Sequence, residues 1–360
     1  MLVLCTSTPA QVDNKNIDIE LYTFGAGENY WEAFGHTALR VKINDTDYLY
    51  GFGYFNFNDE DFFLKFTKGQ MQYYLGIEES RQEIENYINQ GRAVWSQKLK
   101  LSLLQKQKLI TRLNYLALKE NRYYHYDYFL NNCTSKIRDL LDEVTDGEIS
   151  NQLKGIKTKK NWNDVTFPVS NQAWMNLGIA IAYGIPAYQK RDKWSLSVFP
   201  EGFARDLEQL ITKNKWNGKL IQHNNADKQL IEQSFVKTHY AVLVVFILLV
   251  FGLLIPFLTV FTTHLWLIGQ SLIGMALLFL WFFSEHLVAV WNINLLLFSP
   301  FAFLLIKDTL LNRYYAVFLL ANILWLILAL FLTNFYLVGF CLINFILVYT
   351  KSRYRRKTFY

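Results

Sequence analysis

From His239 to Thr350 the chain is almost continuously apolar, with only brief polar breaks. About 20 apolar residues in a row are what a helix needs to cross a bilayer core. Five spans are expected, near 239–261, 264–284, 287–306, 313–333 and 335–350. Lys307 and Arg313 lie between the third and fourth, and Lys351, Arg353, Arg355, Arg356 and Lys357 follow the last. Five crossings place both basic clusters on one side, opposite the residues before the spans, and the positive-inside rule makes that side cytoplasmic. Residues 11–235 are then an exported domain, 236–350 a membrane domain and 351–360 a basic cytoplasmic tail. That tail accounts for part of the net charge of +6, and no basic stripe in the first half suggests a nucleic-acid partner.

The start, MLVLCTSTPAQ, reads as the end of a secretory signal: a short apolar run, then small residues with Thr8 and Ala10 at an A-x-A-like spacing. Residues 1–10 are read as its remnant, and Leu4 before Cys5 argues against lipidation there. Of the three cysteines, Cys5 lies in this signal and Cys341 in an apolar stretch. Cys133 alone remains in the polar half. A lone cysteine in an oxidising compartment points to a reactive thiol or an intermolecular bridge.

The surroundings of Cys133 favour the reactive thiol. In NRYYHYDYFLNNCTSKIRDLLDEVT, the positions Ile137, Leu140, Leu141 and Val144 have the spacing of a buried helical stripe. Asn131 or Asn132 then serves as N-cap, and Cys133 falls in the first turn, where the helix dipole favours a thiolate. Upstream, Ile17 to Phe24 reads as a strand ending in the loop GAGENY. FGHTALRVKI and YLYGFGYFNF form a hairpin about the turn NDTD. His36 opens one hairpin strand and Asn56 lies near the far end of the other, so a tight hairpin puts Asn56 within reach of the His36 ring. An imidazole beside a cysteine can take the thiol proton and return it to a leaving group, with Asn56 as a candidate orienter of the ring. Cys133 has no Cys or His neighbour at zinc spacing, so neither metal nor cofactor is expected. His125 is the rival histidine, set among tyrosines.

Further helices are read at 103–119, capped by Ser102, at 171–183 and over FPEGFARDLEQLI, with 214–227 as a linker. In the third span, Asn292 and Asn294 are costly in lipid and are expected to face protein, headgroups or water, with a candidate role in presenting lipid to the domain.

The ordered motifs FGHTALRV, YLYGFGYFNF, NRYYHYDYFLNNCTSKIRD and FPEGF, over roughly residues 17–212, resemble the Lnb-type periplasmic domain family. EHLVAVWNINLLLFSP resembles the membrane half that accompanies it. The order His first, Asn-Cys at a helix start later, is also similar to the permuted papain-like folds of NlpC-type and lecithin:retinol acyltransferase-like enzymes. The resemblance implies an α+β exported domain followed by an all-α transmembrane bundle in the bacterial inner membrane. It also implies an activity, lipoprotein N-acylation, with phospholipid as acyl donor and a lipoprotein as acceptor. His36 matches the family's FGH histidine and Cys133 its NCT cysteine. Asn56 stands where relatives often have aspartate, and Arg40 and Arg138 match recurrent arginines that could hold a lipid phosphate or tie the helix to the sheet. From the residues alone, a cell-wall cysteine peptidase and a non-enzymatic membrane scaffold remain open.

Overall fold

The structure is a computed structural model that describes residues 17–56, 58, 60–166, 173–212, 218–219, 221–227, 236–255, 257–306, 311–332 and 337–357. The signal-like start lies outside the described residues. Seven antiparallel strands form one sheet, with order β6-β4-β3-β2-β1-β5-β9. They are β1 (Ile17–Phe24), β2 (His36–Ile43), β3 (Thr46–Tyr54), β4 (Gln72–Glu79), β5 (Val94–Leu99), β6 (Tyr123–His125) and, after the short pair β7 (Ile211–Thr212) and β8 (Gly218–Lys219), β9 (Ile221–Asp227). The expected hairpin is β2–β3, with Ile43 opposite Thr46 and Ala38 opposite Gly51. The segment read as a linker is instead partly sheet, because β9 pairs with β5 at one edge.

Alternation along the strands gives the sheet two buried faces. Ile19, Leu21, Leu39, Val41 and Phe52 turn to one face. There they meet α3 (Leu103–Ala117), α4 (Cys133–Val144) and a later helix, Pro200–Gln209. Tyr22, Phe24, Ala38 and Leu49 turn to the other, against Ile84 and Tyr87 of α2 (Ser80–Asn89). The short helix α1 (Phe62–Lys68) lies in the connection between β3 and β4.

After α4 the chain makes α5 (Glu148–Leu153), α6 (Trp162–Thr166), α7 (Ala173–Ala182), α8 (Ile185–Tyr188), α9 (Lys193–Leu196) and α10 (Pro200–Gln209). The helical C-terminal part follows as α11 (Val236–Leu254), α12 (Thr259–Phe282), α13 (Leu311–Leu332) and α14 (Val338–Lys357). Thr259–Phe282 and Tyr314–Leu332 are long and apolar enough to cross a membrane, and Val244–Leu254 and Val338–Lys351 are shorter apolar stretches.

The third expected span is different. Residues 287–306 form three short 3-10 turns instead of a helix. Irregular backbone among apolar helices needs protein partners around it. Here Asn294, Leu297, Phe298 and Ala302 are buried against α12 and α13. α7, which the sequence places in the exported half, also belongs to this cluster through Leu177, Ala180 and Ile181.

Candidate active site

The site sits where β2 begins, β3 ends and α4 starts. Asn132 caps α4: its side-chain oxygen accepts the Ser135 N–H at 2.8 Å, and the Ser135 hydroxyl oxygen accepts the Asn132 N–H at 2.7 Å. The Asn132 amide nitrogen donates to the carbonyls of Tyr128 and Val198, each at 2.8 Å. Every polar atom of this buried side chain is therefore used, which fixes the first turn and aims Cys133. Thr134, fully buried, shares a 2.9 Å hydrogen bond with Thr37, so the residues flanking Cys133 and His36 lock helix to strand.

Gly53 then brings the two side chains together. The β3–β4 register slips between Phe52 and Tyr54, a bulge that leaves Gly53 at φ +101°. A Cβ placed on Gly53 would lie 3.3 Å from Cys133 Cβ and 3.8 Å from His36 Cε1. Cys133 Cβ and the His36 ring thus flank one position, held at a positive φ that favours glycine. Gly51 does the same for the ring, since a Cβ there would come within 2.9 Å of His36 Nε2.

The His36 ring is held by aromatic contacts. It stacks on Tyr87 and Phe24 and meets Tyr54 edge-on. Burial, with the charge of nearby Arg92 adding to it, pushes the imidazole down to about 3, so it is neutral near neutral pH and a weaker base than a free imidazole. Its Nε2 is buried without a hydrogen-bond partner. Arg92 is itself buried, lies over the Tyr87 ring at 4.5 Å and donates to the Gly25 carbonyl at 2.9 Å. Beside it a polar cavity of about 470 Å³ is lined by Glu32, Glu83, Tyr87 and Arg92 among others.

Cys133 does not have the lowered pKa expected of a helix-terminal thiol. Burial pushes it up, and hydrogen bonds from the Thr134 hydroxyl and the Thr37, Thr134 and Cys133 backbone amides offset this only in part. Desolvation at this position outweighs the helix end. The resting pair is a neutral thiol beside a neutral imidazole, with the sulfur 3.8 Å from Thr134 Oγ1.

The other expected site residues lie elsewhere. Asn56 is exposed, and its side-chain oxygen accepts the Asn58 N–H at 3.0 Å. Asn56 lies past the Gly53 bulge, and no hydrogen bond joins it to the buried His36 Nε2. Arg40 lies four residues along β2, about 13 Å at the strand rise. It is saturated by carboxylates, donating to Asp47 at 2.7 Å and Glu20 at 3.1 Å. A phosphate would have to displace both.

Arg138 is buried. It donates to Asp139 and to the Trp194 carbonyl, with its guanidinium 3.9 Å above the Trp194 ring, and so ties α4 to α9. Asn292 and Asn294 donate to the carbonyls of Ala180, Ile181 and Ala182, the open C-terminal end of α7. Asn294 also accepts the Trp325 indole N–H at 2.9 Å. These amides close a helix end inside the bundle. His125 lies away from the ring, with Nδ1 3.6 Å from Glu285.

Sequence reading missed Gly53, Thr37, Thr134, Tyr87 and Arg92. Gly53 had a signal, because a glycine inside an aromatic strand marks a bulge or a close approach. The others depend on which strands neighbour which. Among the described residues, no group of three or more His, Cys, Asp or Glu could hold a metal ion.

This arrangement, a cysteine opening a helix beside a histidine opening an antiparallel strand, is a candidate thiol–imidazole centre. Residues 6–166 match the family model of the Lnb N-terminal periplasmic domain, the family that the motifs resemble. No curated protein matches the chain, and no solved structure does.

Proposed function

We propose that the protein is a lipoprotein N-acyltransferase of the inner membrane, with its catalytic domain in the periplasm. In this reading it moves an acyl chain from phospholipid, through a thioester on Cys133, to the N-terminal amine of a diacylglyceryl-cysteine lipoprotein. The observation that carries it is the convergence of Cys133 and His36 on Gly53, within a domain that matches this periplasmic family and is clasped to apolar helices. The order of His on a strand and Cys at a helix start also supports a permuted papain-like core.

In the first half-reaction His36 takes the thiol proton as the sulfur attacks the ester carbonyl of the donor. Because both groups rest neutral, the thiolate forms during attack and is not stored beforehand. The amides of Thr37, Thr134 and Cys133 that approach the sulfur are placed to stabilise developing negative charge. The carbon–oxygen bond breaks, the lysophospholipid alkoxide takes the proton from His36, and the acyl group stays on sulfur. In the second half-reaction the acceptor amine attacks the thioester and gives its proton to His36. The amide forms, and the proton returns to sulfur.

Five membrane crossings fit this reading, with 287–306 as an irregular one. Lysates with and without the protein test the function by mass spectrometry of lipoprotein N-termini. N-acylation that depends on Cys133 supports it, whereas peptidoglycan cleavage without any lipid adduct would support a peptidase.

A further inference from the structure

The helix α1 has its apolar side outward. A helix lying on a protein core turns its apolar side chains in, yet Phe63 is 81% exposed, Leu64 52% and Phe66 42%. Three adjacent large apolar groups on one short helix form a patch that marks an interaction surface.

What fits that surface follows from where the helix is held. The Glu285 N–H donates to the Lys68 carbonyl at 2.8 Å, Gln70 Nε2 donates to Glu285 Oε1 at 2.8 Å, and His286 Nε2 lies 2.9 Å from the Phe66 carbonyl oxygen. Glu285 and His286 come just after α12, which is long and apolar enough to span a bilayer. The clasp therefore sets α1 level with the end of a span, where hydrocarbon gives way to headgroups. Lys65 and Lys68 occupy the last turn, and basic groups beside exposed aromatic ones are the composition of an interfacial helix. Rings continue inward from it: Phe62 stacks on Phe55 at 5.7 Å, and Phe55 lies 5.0 Å from Tyr73. Phe55 is two residues along the chain from Gly53, where an added Cβ would lie 3.3 Å from Cys133 Cβ.

We infer that α1 is a membrane-boundary element whose Phe63, Leu64 and Phe66 enter the outward-facing phospholipid leaflet. It holds the mouth of the site against the lipid surface. Its use as the entry for the acyl donor rests on the function proposed above; its contact with lipid does not.

The test uses the full chain in liposomes of phosphatidylethanolamine and phosphatidylglycerol with radiolabelled acyl chains, carrying the photocrosslinker p-benzoylphenylalanine in place of Phe63. After irradiation, lipid crosslinking about tenfold above that of the same probe at Lys42 is expected, as for a helix seated in the headgroup boundary. Lys42 is exposed near the far end of β2. A probe at Leu64 gives a second reading if the first variant inserts poorly. Crosslinks to protein, or lipid yields no higher than at Lys42, overturn the inference. Both probes are also read in Cys133→Ala, where failure of the thioester chemistry would leave the lipid crosslinks intact.

Discussion

His36 carries an acid sensitivity that can be measured. Its imidazole is held near 3 in the folded protein against an ordinary value of 6.5, so between these limits the unfolded chain binds more protons. Its contribution is fully present above pH 6.5 and falls as pH drops toward 3, by at most about 1.4 kcal/mol per unit. Melting of the detergent-solubilised protein from pH 7 to 4 should fall less steeply for His36→Gln than for wild type. Equal slopes would mean that the ring is not held neutral by burial. Gly53 gives a second test at this scale. Gly53→Ala places a methyl against Cys133 and His36 at a positive φ, a strain of about 1–3 kcal/mol. We expect it to slow acylation at Cys133 by an order of magnitude or more while insertion is retained, because the methyl occupies the position on which the pair converges. Unchanged acylation kinetics would separate the pair from the bulge.

At the scale of elements, some of the site was legible in the sequence and some was not. The α4 start was legible because capping and periodicity are local: Asn132 is followed by Ser135 and then by Ile137, Leu140, Leu141 and Val144. The β2–β3 hairpin was legible from its turn and its aromatic, β-branched strands. Hairpin closure alone cannot reveal the bulge set by the pairing of β3 with β4, past which Asn56 lies. The stretch 287–306 read as a helix because hydropathy reports composition and not where backbone hydrogen bonds go. Its asparagines instead serve another helix. Asn294→Ala would leave two α7 carbonyls and the Trp325 indole without this partner, and interhelical bonds of this kind are worth roughly 0.6–2 kcal/mol each. Thermal unfolding in detergent should show a clear loss for Asn294→Ala, whereas acyl transfer at a temperature where the variant is folded should persist. Loss of transfer with unchanged melting would return this residue to a role with lipid.

At the scale of the whole molecule, a polar half and an apolar half are joined, among the described residues, by connections of different character. One is the run of bonds from Gln70, Lys68 and Phe66 to Glu285 and His286. Another is α7, whose end is closed by Asn292 and Asn294 and whose following Gly184 leaves no room for a Cβ, which would fall 1.9 Å from the Val290 carbonyl oxygen. Gly184→Ala should therefore weaken the docking of the two halves, read as increased protease cleavage near residue 184 in the membrane-inserted protein. Cleavage at the wild-type rate would show that this approach is dispensable.

The measurement that tests the central claim most directly is the covalent state of Cys133. The reconstituted protein, incubated with phospholipid labelled in its acyl chain and without acceptor, should carry one acyl group on Cys133, released by neutral hydroxylamine as a thioester is. The adduct should be absent in Cys133→Ala and formed about 10²–10⁴-fold more slowly in His36→Ala, the range for removal of a general base. Full N-acylation of lipoproteins by Cys133→Ala, or an acyl group found elsewhere on the chain, would contradict the account.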